Sequence, residues 1–99
     1  MDTKNIVRAR LTTRDLLEQL AEECAELAQA ALKVIRANGM SANATPITAQ
    51  SAYSKIVEES GDVLMLLDLL RLADIDTSDN PKWERWAARL EAANEQKDC

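Results

Sequence analysis

Apolar residues return every three to four positions over two long stretches of the chain, a spacing that predicts amphipathic helices and leaves no room for alternating strands. In the first stretch Leu16, Leu20, Cys24, Leu27, Ala31 and Val34/Ile35 define one core-facing stripe. Thr12 or Thr13 can cap its start, Asp15 stands in the first turn, and Asn38-Gly39 is a natural C-terminal stop. A second helix is expected from about Thr48, or slightly earlier with Pro46 in its first turn, to about Ala73. Its first half places Tyr53, Ile56, Val57, Ser60 and Leu64 on one side. In the run from Val63 to Leu70 apolar residues cover almost the whole circumference, which implies burial on two sides, against the first helix and against another subunit. Pro81 opens a third helix, Lys82 to about Gln96, with Trp83, Trp86, Ala87 and Leu90 inward.

Between these segments lie weaker signals. Residues 1–12 read as a loosely ordered lead-in or a short helix, 39–48 as the one sizeable loop, and 97–99 as a frayed tail. The expected architecture is a single all-α domain over residues 1–99, an antiparallel helical bundle of about three main helices completed by oligomerisation. The length supports that last point, since a chain of 99 residues buries proportionally little surface when it folds alone.

Composition narrows the function. A net charge of −5 disfavours a nucleic-acid backbone or an anionic membrane as partner, because both attract basic surfaces. No segment is long and apolar enough to span a bilayer, and no signal-peptide pattern opens the chain, so a cytoplasmic protein with two free thiols, Cys24 and Cys99, is expected. Histidine is absent, which removes His-assisted triads and His-containing metal sites. Carboxylate oxygens remain as the ligands on offer.

Those carboxylates are clustered. Glu22-Glu23-Cys24-Ala25-Glu26 and Glu58-Glu59-Ser60-Gly61-Asp62 share one form, each inside a long helical segment. At about 100° per residue, the first, second and fifth members of such a cluster fall within roughly a 100° arc. Glu23 borders the core stripe with Glu26 beside it, while Glu22 turns further towards solvent. On the second helix Asp62 shares a stripe with Met65, Leu66 and Leu69, which predicts half burial; Glu59 lies one turn earlier, and Gly61 leaves space for close approach of a helix or ligand. A lone acidic cluster on a helix is ordinarily a solvated face. Two clusters brought opposite one another by an antiparallel hairpin would instead repel strongly unless a cation sat between them, and hard oxygen donors select Mg²⁺, with Mn²⁺ as the alternative.

The strings LAEECAELAQA and EESGDVLMLL resemble the two-motif signature of the MazG-like, all-α nucleoside triphosphate pyrophosphohydrolases, over roughly residues 13 to 90. The resemblance implies Mg²⁺ ligands at Glu23, Glu26, Glu59 and Asp62. It implies hydrolysis of a nucleoside triphosphate between the α- and β-phosphates, with Glu22 or Glu26 orienting or deprotonating the attacking water. Lys82, Arg85 and Arg89 resemble the family's basic helix and, with Lys33, would meet the phosphates. Trp83 and Trp86 could stack on a base, although their spacing also suits a core. A homodimer or homotetramer engaged in nucleotide-pool house-cleaning is the implied setting. The competing readings are a helical protein-interaction module with no catalysis and a nucleotide sensor.

Overall fold

Threonine caps set where the two long helices begin. A computed structural model describes residues 2–43, 46–72 and 76–97. In it the chain forms α1 (Thr3–Arg10), α2 (Thr13–Ala37), α3 (Ala49–Leu69) and α4 (Lys82–Lys97), with no strand among the described residues. Thr12 accepts the Asp15 backbone N–H at 3.1 Å while the Asp15 carboxylate accepts that of Thr12 at 2.9 Å, a complete capping box at the start of α2. Thr48 accepts the Ser51 N–H at 3.1 Å at the start of α3. Asn80 takes that role before α4, accepting the Lys82 N–H at 2.9 Å. The lead-in is a helix, α1, capped by Asp2 and tied to the far end of α3 by Lys4 Nζ, 2.7 Å from the Asp68 carboxylate.

Both long helices end alike. After α2 the N–H of Gly39 reaches the Arg36 carbonyl and that of Met40 the Ile35 carbonyl, with Gly39 left-handed at φ 70°. After α3 the same pair of bonds joins Arg71 to Asp68 and Leu72 to Leu67, but here Arg71 carries the left-handed conformation, at φ 57°. This turn stops α3 at Leu69, short of the expected end. Ala73 itself lies outside the described residues, as do part of the 39–48 loop, Ala44 and Thr45, and the tail residues Asp98 and Cys99.

Among the described elements, α2 and α3 form the one extensive packing pair. The 26–33 stretch of α2 lies beside 55–59 of α3, where the two line a common cleft. On each helix one stripe of buried and half-buried positions runs at 4-3-4-3-4 spacing: Leu16, Leu20, Glu23, Leu27, Ala30 and Val34 on α2, and Ala52, Ile56, Glu59, Val63 and Leu66 on α3 with its C-cap Leu70. That average of 3.6 residues keeps each stripe on one face of its helix. The acidic residues Glu23 and Glu59 therefore occupy positions that aliphatic residues take elsewhere along these stripes.

The α2–α3 seam is rotated from the expected one. Cys24 is exposed, as are Tyr53, Val57 and Leu64, and Gly61 faces open space, where a Cβ would meet nothing within 4 Å. Helix α3 carries two overlapping apolar stripes, and the one that packs contains Ala52, fully buried, opposite the α2 stripe that contains Ala30. Trp83, Trp86, Ala87 and Leu90 are also exposed, since no described element packs broadly on α4.

The result is an open molecule. Its radius of gyration is 18.2 Å, against about 12.6 Å for a compact chain of this length. Its accessible surface of 8113 Å² exceeds by about 2,500 Å² what a compact monomer of this mass exposes.

Candidate metal centre

Glutamates at seam positions must point at the opposing helix, and this brings the two acidic clusters together. One carboxylate oxygen from each of Glu23, Glu26 and Glu59 lies within 4.8 Å of the others. Burial grades across the group: Glu59 is 3% exposed, Glu23 half-buried and Glu26 open to solvent. Gln19 Nε2 donates to Glu23 Oε1 at 2.9 Å, and Lys55 Nζ lies 3.0 Å from Glu59 Oε1 and 3.4 Å from Glu58 Oε2. The second oxygens, Oε2 of Glu23 and Oε2 of Glu59, are buried with no hydrogen-bond donor.

Electrostatics follow from this crowding. Glu23, then Glu59, then loss of solvent hold the Glu26 pKa above its ordinary value, so Glu26 takes up a proton more readily than a free glutamate. Glu59 is shifted the other way, chiefly because the Lys55 ammonium donates to it, and Lys55 is correspondingly raised by Glu59. Burial opposes the Glu59 shift without reversing it.

The donor set fits a hard divalent cation. Three carboxylates from two helices converge, all ligands are oxygen, and two buried oxygens of the group lack the hydrogen-bond partner that buried acceptors require. Beside them opens a cleft of about 270 Å³ lined by Glu26, Gln29, Ala30, Lys33, Lys55 and Glu59.

The expected site residues divide into three sets. Glu23, Glu26 and Glu59 meet, and Lys33 lines the adjoining cleft. Asp62 is half-buried one turn beyond Glu59 but is not within the group of three, and Glu22 is exposed outside it. Lys82 and Arg85, with Arg89 and Ala88, line a separate groove on α4. Trp83 and Trp86 stack in parallel there, centroids 6.4 Å apart at 9°, with Lys82 Nζ 5.8 Å from the Trp86 ring and Trp83 Nε1 donating to the Thr77 carbonyl at 2.8 Å. Sequence reasoning missed Lys55 and Gln19 as members of the site. The signal was present, because each stands four residues before the glutamate it serves, the spacing at which helical side chains meet.

No protein-family model, no curated protein and no solved structure matches this chain.

Proposed function

We propose that the chain is a Mg²⁺-dependent nucleoside triphosphate pyrophosphohydrolase that cleaves NTP or dNTP to a monophosphate and pyrophosphate, in nucleotide-pool house-cleaning. The observation that supports it most is the pair of buried, donorless oxygens, Glu23 Oε2 and Glu59 Oε2, beside a cleft that two lysines line. Glu23, Glu26 and Glu59 would hold Mg²⁺ or Mn²⁺, and Asp62, one helical turn beyond Glu59, would join them. When bound, the ion supplies charge neutralisation for the polyphosphate and a lowered pKa for bound water.

The chain's own groups do the rest. An acidic protein that takes a triphosphate needs cations on the other side of the cleft, and Lys33 and Lys55 are placed to balance phosphate charge. Glu26, the exposed member of the three, is one candidate to orient or deprotonate the attacking water. Glu22, on the solvent side of the same turn, is the other candidate for that proton. The antiparallel bundle is completed in this reading by a second copy, dimer or tetramer, which would cover Val57, Leu64, Met65, Trp83, Trp86 and Leu90, all about half exposed or more. Association would also carry Lys82 and Arg85 from the α4 groove towards a phosphate.

Pyrophosphate release from a panel of common and modified triphosphates, with and without Mg²⁺, tests the proposal. Mg²⁺-dependent release that Glu59→Gln and Asp62→Asn each reduce at least about a hundredfold is expected, because an amide is a poor ligand for a hard cation. Absence of release across the whole panel, or full activity in both variants, would overturn it. The exposed apolar residues favour one second reading, a non-catalytic module that binds another protein. That reading requires Mg²⁺ to leave the thermal midpoint unchanged.

A further inference from the structure

The three-carboxylate group already has one positive charge against it, and that charge is tethered. Lys55 Nζ sits 3.0 Å from Glu59 Oε1, the most buried carboxylate of the group, while its own side chain is half exposed. It makes a second, longer contact of 3.4 Å with Glu58 Oε2, which faces solvent. It satisfies only part of the demand. Lys55 bridges Glu58 and Glu59, whereas Glu23 Oε2 and Glu59 Oε2 stay without a donor. A single ammonium on a stem rooted in α3, one turn before Glu59, cannot replace an ion that several oxygens surround at once.

We propose that Lys55 is the built-in counter-ion of this site, bridging Glu59 and Glu58 while no metal is bound and withdrawing to Glu58 alone when a divalent cation enters, so that it lowers and thereby sets the metal affinity. The inference rests on the metal-binding reading above and concerns a residue outside the ligand set. Its physical basis is competition. If the ammonium stayed against Glu59 it would repel the incoming ion, and moving it away breaks an ion pair; either course weakens binding relative to a site without Lys55. Glu58 limits that loss, because its solvated carboxylate already touches Lys55, so the lysine gives up one partner, keeps the other and does not become unpaired. For a dication and a monocation about 5 Å apart in a water-like dielectric, the effect is about tenfold in the dissociation constant.

The test is calorimetric titration of Mg²⁺, repeated with Mn²⁺, into the metal-free full chain without nucleotide. Lys55→Met should tighten binding about tenfold, Glu58→Gln should loosen it two- to threefold or so, and Lys33→Met, which lines the cleft without an ion pair to the group, should change it little. In the wild type, the Lys55 side-chain NMR resonances should move along the binding isotherm while those of Lys33 shift less; this reading does not depend on any variant folding. Binding in Lys55→Met that is equal to or weaker than wild type, or Lys55 resonances that stay fixed as metal saturates, overturns the inference and leaves the metal site standing. Absence of metal binding in every protein would overturn both.

Discussion

Replacing Glu23 and Glu59 together by leucine should make the metal-free chain more stable while abolishing its response to metal. Both residues occupy seam positions, Glu59 is 3% exposed, and each has one oxygen without a donor. Leucine would continue the pattern of Leu16, Leu20 and Leu27 on α2 and of Ile56, Val63 and Leu66 on α3. Substituting well-packed apolar residues for buried charged groups is commonly stabilising, and for a domain of this size the expected rise in Tm is roughly 5–15 °C. The wild type should behave in the opposite way. At a free Mg²⁺ concentration ten times its Kd, binding stabilises the folded chain by about 1.4 kcal/mol, or roughly 6–11 °C. Thermal denaturation followed by circular dichroism, with chelator and then with rising Mg²⁺, reads both quantities. A double variant that melts below the wild type in chelator would show that the carboxylates are structural, and one that keeps its Mg²⁺ shift would show that the ion binds elsewhere.

Two further outcomes are expected. In metal-free protein the raised Glu26 pKa stabilises the fold fully below the ordinary value of 4.5, and that contribution is lost as pH rises through the elevated value. Glu59, held down by Lys55, contributes above 4.5 and loses its contribution as pH falls through its depressed value. Stability without metal should therefore peak between those two pKa values and decline towards neutrality, and Glu26→Gln should flatten the decline in a Tm series from about pH 4 to pH 8; an unchanged slope would refute the assignment. Separately, Arg71→Gly should stabilise the chain by about 1 kcal/mol in urea denaturation, because a left-handed residue at φ 57° strains any side chain with a Cβ; a loss of stability would mean that the arginine side chain matters more than its backbone.

Local signals were legible along the chain wherever they act over a few residues. The Thr12 and Thr48 caps, the stop at Asn38-Gly39, the helix opening after Pro81 and the all-helical class each depend on hydrogen bonds and torsions within one turn, which neighbouring residue types settle. The pairing of acidic clusters on two helices was likewise visible as a pattern. What needed the tertiary structure was the rotation of α3 about its own axis. Its apolar residues cover so much of the circumference that periodicity alone leaves several faces equivalent, and the choice falls to packing, which buries Ala52 and Leu66 on α3 and leaves Tyr53, Val57 and Leu64 exposed. That rotation carries Glu59 into the seam, leaves Asp62 at its margin and brings Lys55 against a buried carboxylate. A sequence specifies which faces are able to pack; only packing against a real partner decides which one does, because burial energy is set by shape matched across two surfaces and not by the composition of one.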